Sequence, residues 1–97
     1  MANVDLQKRD EKFFIIGELS FQSVPSLVGQ MNFSETELVV NLSEVTYSDS
    51  SGLALLVNWL REAKKRSANI RFEAIPQKMM ALAKVSNLDK VLPIVPH

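Results

Sequence analysis

Two periods of apolar residues alternate along the chain, and their order lays out a small α/β fold. Val4 and Leu6 alternate with polar residues, Arg9-Asp10-Glu11-Lys12 interrupts them, and Phe13-Phe14-Ile15-Ile16 follows. This pattern predicts two strands joined by a charged turn, the second apolar on both faces and expected to be covered on both. Gly17 permits a tight backbone at its end. Ser23 stands where it can cap a helix with Pro25 in the first turn. Val24, Leu27, Val28 and Met31 share one face of that helix, which is expected to end near Asn32. Glu37–Leu42 reads as a strand, leaving through Ser43–Tyr47. A long helix is predicted from about Ser50 to about Ser67, roughly 25 Å at 1.5 Å per residue, with Lys64-Lys65-Arg66 favouring the negative end of its dipole. Ile70–Ile75 alternates strictly and predicts a strand with one wet face. Strand, helix and strand in that order imply a parallel, right-handed crossover. Pro76 opens a third helix to about Val85, with Met79, Leu82 and Ala83 facing inward. Asn87 ends it, Asp89–Leu92 suits a last turn, and Pro93-Ile94-Val95-Pro96 cannot continue a helix. Without repeat or linker, residues 1–97 read as one domain: a mixed sheet of about four or five strands with helices packed on it.

The long helix carries more apolar residues than one buried stripe needs. At 100° per residue, Leu53, Leu56, Val57, Leu60 and Ala63 fall within one sector, the expected core face. Ser51, Leu55, Asn58, Trp59 and Glu62 fall roughly opposite. Leucine and tryptophan one turn apart on that side, beside a polar loop, suggest a protein-binding face, since tryptophan is the side chain most enriched among interface anchors. A plainer reading is that the third helix covers Trp59.

Composition narrows the function. Eleven basic and eleven acidic side chains give a formal net charge of zero, so electrostatic steering to nucleic acid or an anionic membrane is not expected. There is no cysteine, which removes disulfides, thiolate catalysis and cysteine-ligated metals. The start Met1-Ala2-Asn3-Val4-Asp5 carries acid where a signal peptide carries base, and no segment approaches the roughly 20 apolar residues that cross a bilayer. The expectation is a cytoplasmic domain, with no direct membrane insertion, that reaches the inner membrane only through a partner. His97 is the one histidine and lies at the terminus, three scattered glycines make no phosphate loop, and the acids lack metal-ligand spacing. Neither catalysis nor a cofactor is expected.

The serines before the long helix admit three roles. Ser48, Asp49 or Ser50 can cap it, for about 1 kcal/mol. A phosphate there would meet the positive end of the dipole and bring about −1.5 to −2 charges. The unmodified hydroxyls can also touch a partner directly.

Asp49-Ser50-Ser51-Gly52-Leu53, after an apolar strand and before an apolar helix, resembles the signature loop of STAS domains, which include anti-sigma-factor antagonists and the cytoplasmic tails of some anion transporters. Asn41–Val45, Ser48–Leu56, Trp59–Ala63, Arg71-Phe72, Ile75-Pro76, Leu82-Ala83 and Val85–Leu88 are most similar to the branch of STAS subunits in Mla phospholipid ABC transporters. That resemblance implies a non-catalytic subunit that binds and supports the transporter's cytoplasmic ATPase and so serves outer-membrane lipid asymmetry. It implies a functional role for Ser50 and places Ser51 at the serine phosphorylated in anti-sigma-factor antagonists, where transporter-type relatives often carry a small residue that cannot be phosphorylated. The expected contact set is therefore Asp49, Ser50, Ser51, Gly52, Leu55, Asn58, Trp59 and Glu62. The alternative is an antagonist that binds an anti-sigma kinase and is switched by phosphorylation at Ser51. A homodimer with Trp59 in its self-interface is a third arrangement.

Overall fold

A computed structural model describes residues 3–95; His97 and Pro96, like Met1 and Ala2, lie outside it. Strand β1 (Val4–Arg9) turns at Asp10-Glu11 into β2 (Lys12–Leu19), and a short helix α1 (Val24–Leu27) leads to β3 (Glu37–Ser48). Helix α2 (Ser50–Lys65), β4 (Asn69–Glu73), α3 (Gln77–Val85) and a 3-10 turn at Leu88–Lys90 complete the chain. The sheet order is β1-β2-β3-β4, with β1 antiparallel to β2 and the other pairs parallel. The mixed four-stranded sheet agrees with the pattern, and the boundaries shift for local reasons. Strand β3 continues through its expected exit to Ser48, because register shifts let Glu44, Val45, Tyr47 and Ser48 stay paired to β2. Strand β4 stops at Glu73 because Ala74 turns left-handed at φ 55°. Helix α1 ends at Leu27 rather than near Asn32, since Val28 is already extended.

One core forms between the sheet and the helices. Phe13, Ile15, Leu38, Val40, Leu42, Ile70 and Phe72 supply the sheet side. Leu27, Leu53, Leu56, Leu60, Met79 and Ala83 supply the helix side. Phe14, Ile16 and Val39 point to the other face and are only half-buried. The expectation that β2 is covered on both faces is therefore corrected: all the helices contribute to one core, so they share one side of the sheet. On the uncovered side ion pairs take the place of a second layer: Arg9 with Glu44 at 2.5 Å and Lys12 with Glu73 at 2.9 Å. The Arg9 guanidinium also lies 4.8 Å from the centre of the Phe14 ring. The outer edge of β4 is closed by the tail, where the Phe72 N–H donates to the Pro93 carbonyl at 2.9 Å and the Val95 N–H to the Phe72 carbonyl at 2.8 Å. Leu82, expected inward, is exposed; Met79 and Ala83 alone carry α3's buried face.

Candidate functional site at the start of helix α2

The loop into α2 is built by the sheet end beneath it. Leu19 pairs with Ser48, and the Asp49 N–H donates to the Leu19 carbonyl at 3.0 Å. The Asp49 carboxylate then accepts from the Ser51 N–H at 2.8 Å and caps the helix. Asp49 thus takes the capping role that three residues could have filled. Gly52 sits in close packing: an added Cβ would stand 3.2 Å from Leu19 Cβ and 3.3 Å from Met79 Cε, so these side chains would have to give by a few tenths of an ångström.

Beside this loop lies the turn Ser20–Ser23. Ser23 makes no helix cap; its hydroxyl instead donates to the Glu18 carbonyl and accepts from the Ser20 N–H at 2.8 Å. That knot holds Phe21 out from the surface, 77% exposed. Tyr47, near the end of β3, is 49% exposed and lines a shallow hollow with Pro76 and Lys78. Two aromatic side chains therefore stand at the sheet end from which α2 starts.

The helix itself is rotated from its expected setting. Its buried residues are Ser51, Gly52, Leu53, Leu55, Leu56, Trp59, Leu60 and Ala63, a sector turned by about 60–70° from the predicted stripe. Leu55 and Trp59 are each 1% exposed, so the outward leucine–tryptophan strip does not exist. The cover is the link between α1 and β3: Val28, Gly29, Met31 and Phe33 share a hollow with Asn58, Trp59, Glu62 and Arg66. A helix flanked by both a sheet and this link buries a sector wider than one stripe. The outward ridge is Ser50, Ala54, Asn58 and Arg61. Of the predicted contact residues, Ser50 and Asn58 are exposed, Asp49 and Glu62 are half-buried, and Ser51, Gly52, Leu55 and Trp59 are buried. Glu62 is engaged within its own helix by Lys65 at 3.4 Å and Arg66 at 3.8 Å.

Two polar atoms here are buried without partners, Ser51 Oγ and Trp59 Nε1. An enclosed, unpaired group forfeits its hydration, so neither hydroxyl nor indole gains from its polarity in this state. Ser51 Oγ in particular is not open to a phosphoryl donor unless the loop moves. Phe21 and Tyr47 escaped the sequence reading. The available signal was an aromatic inside a polar turn, with no periodicity to bury it. Among the described residues no group of three or more histidine, cysteine, aspartate or glutamate side chains could hold a metal. No helix there is long and apolar enough to cross a membrane.

Comparison with known proteins identifies the family and the fold. The family model described as "Mlab, STAS domain" matches residues 3–96. The intermembrane phospholipid transport system binding protein MlaB of Haemophilus influenzae is 32% identical, over 92% of this chain and 93% of that one. The anti-sigma-B factor antagonist of Bacillus subtilis is 26% identical, over 95% and 89%. Among solved structures, the unphosphorylated anti-sigma factor antagonist SpoIIAA superposes with a TM-score of 0.71 at 17% identity, covering 97% of this chain and 89% of that one.

Proposed function

The chain belongs to the STAS domain family, and from that premise we propose that residues 1–97 serve as a non-catalytic cytoplasmic subunit of a phospholipid ABC transporter that maintains outer-membrane lipid asymmetry. In this reading it docks on and supports the transporter's ATPase and is held at the inner membrane through that contact. The observation that carries the reading is the exposed ridge Ser50, Ala54 and Asn58 on a helix that starts at the sheet end where Phe21 and Tyr47 are exposed. The likeness to MlaB across nearly its full length supports it. Phe21 and Tyr47 supply apolar area to desolvate, the role first assigned to Leu55 and Trp59. The Ser50 hydroxyl and Asn58 amide supply directional hydrogen bonds. Asp49 and Gly52 act from behind, by fixing the loop and the helix start. Because the ridge belongs to a packed helix, little order is lost on binding.

The second reading, an antagonist switched at Ser51, is favoured by the Bacillus relative and by the position of Ser51 in the loop. The enclosed Ser51 hydroxyl weighs against it, because a phosphate would have to displace the first turn of α2. Co-expression with the ATPase separates the two. Phe21→Asp and Ala54→Arg should each abolish co-purification while circular dichroism stays native, and Ser51→Ala should co-purify at wild-type yield. Loss of binding is required in Phe21→Asp and Ala54→Arg alike; retention in either removes the proposed face. A kinase that labels wild type but not Ser51→Ala would establish the switch instead.

A further inference from the structure

The net charge of zero conceals a strong polarity along the chain. Residues 1–57 hold eight acidic and three basic side chains, and residues 58–97 hold three acidic and eight basic. The cations of the first part are matched, Lys8 by Glu35, Arg9 by Glu44 and Lys12 by Glu73. Lys64, Lys78, Lys84 and Lys90 pair with no carboxylate among the described residues. Lys64, Lys84 and Lys90 lie among aliphatic side chains that the fold leaves in the open, while Lys78 lines the hollow beside Tyr47. On α3, Lys78, Leu82 and Val85 follow at four- and three-residue steps and share the outward face. Val85 is 85% exposed and Val91 is 56% exposed. Lys84 precedes Val85, Lys90 precedes Val91, and Lys64 borders the same hollow as Val91. From Gln77 to Val91 the one acid is Asp89, which is half-buried.

Unpaired cations around exposed aliphatic groups call for an anionic, partly apolar counterpart. Protein interfaces are depleted in lysine and enriched in aromatic residues at their centres, and this patch is rich in lysine and holds no aromatic residue. A layer of anionic lipid headgroups suits it better. Lysine stems can lie along the apolar boundary with their ammonium groups among the phosphates, while leucine and valine enter its shallow edge. Electrostatic attraction contributes roughly a fivefold gain in partitioning per lysine near such a surface. The zero net charge does not oppose this, because the local charge density decides the contact. Glu37 reaches the edge of the hollow that Lys64 shares with Val91, where its carboxylate accepts from the Asn69 amide at 3.0 Å.

We propose that the Lys84–Val91 segment, from the last turn of α3 through the 3-10 turn, together with Lys64, is a peripheral contact site for anionic phospholipid headgroups. The patch lies towards the C-terminal end of α2, where Lys64 borders the Val91 hollow, about 20 Å along the helix from Ser50, and Lys78, which lines the Tyr47 hollow at the start of α3, is not part of it. Adsorption therefore leaves the loop face free, and the inference does not depend on docking to an ATPase.

The test is sedimentation of the purified full chain with vesicles of phosphatidylcholine alone, or of phosphatidylcholine and phosphatidylglycerol in equal parts. Binding is expected only to the mixed vesicles and is expected to vanish near 1 M salt, where the screening length falls to about 3 Å. The double variant Lys84→Glu with Lys90→Glu should lower partitioning more than tenfold, and Val85→Asp should lower it with Lys64, Lys84 and Lys90 intact. Lys84→Gln with Lys90→Gln is the milder check if charge reversal disturbs folding. Wild type that ignores the mixed vesicles, binds both kinds equally, or binds as tightly after the lysines are replaced overturns the proposal. So does capture by an acidic protein without vesicle binding. Unaltered ATPase co-purification of these variants keeps the outcome separate from that of the docking face.

Discussion

Truncating Trp59 removes a side chain that is almost wholly enclosed between α2 and the α1–β3 link. Trp59→Ala is therefore expected to cost about 3–5 kcal/mol of stability, read as a fall in the urea midpoint, before any binding can be assayed. Trp59→Phe should cost markedly less, because it keeps most of the ring volume and removes an indole N–H that has no acceptor. Ser51→Ala deletes an enclosed, unpaired hydroxyl and should be neutral or slightly stabilising. Gly17 is the opposite case. Its φ is 106°, and a Cβ there would stand 2.1 Å from the Asn3 carbonyl oxygen. Gly17→Ala should destabilise by at least about 2 kcal/mol, because left-handed strain and a backbone clash act together. At this scale the sequence was legible where chemistry is local: residue type narrowed the cap to Ser48, Asp49 or Ser50, of which Asp49 takes it, and predicted the tight backbone at Gly17. It was not legible for Trp59, because a tertiary neighbour decides which way the ring faces.

Among the elements, the sheet's uncovered side has its own pH signature. Asn41 donates to the Glu73 carboxylate at 2.7 Å and Lys12 at 2.9 Å, and these contacts, aided by the charges of Lys12 and Arg71, hold its pKa below the usual 4.5. Partial burial opposes them and is outweighed. A carboxylate whose folded pKa lies below its unfolded value stabilises the fold above the unfolded value. That contribution fades as the pH falls through the folded value. Asn41→Ala should therefore weaken the acid-side decline of the urea midpoint, measured from about pH 6 to about pH 3. An unchanged decline would mean that other carboxylates dominate it. Helix α2 shows why strand order was easier to read than helix orientation. Alternation fixes a strand's two faces, and the even positions Leu38, Val40 and Leu42 went to the core together. A helix apolar nearly all round at its start has several sectors that could be buried, and here the α1–β3 link selected the one containing Leu55 and Trp59. The short α1 could not be sized from periodicity, because its apolar spacing continues past the residue where the backbone becomes extended.

For the whole molecule, the order of elements and the loop Asp49–Gly52 were sufficient to reach the family, whose model matches residues 3–96. The proposed binding face was only half legible. Asn58 was found from helical spacing and Ser50 from the loop, and both are exposed, while Phe21 and Tyr47 come from a turn and a strand end that periodicity does not orient. The result is a domain with two distinct ends: a polar loop flanked by Phe21 and Tyr47 at the start of α2, and a lysine-fringed aliphatic patch towards its finish. The central claim is that a partner ATPase is engaged through the first end. The most direct measurement is the dissociation constant for the purified ATPase with wild type and with Ala54→Arg, a substitution on the exposed ridge that leaves the core untouched. The account predicts a loss of at least about tenfold with an unchanged urea midpoint. Equal affinity for the two proteins would contradict it.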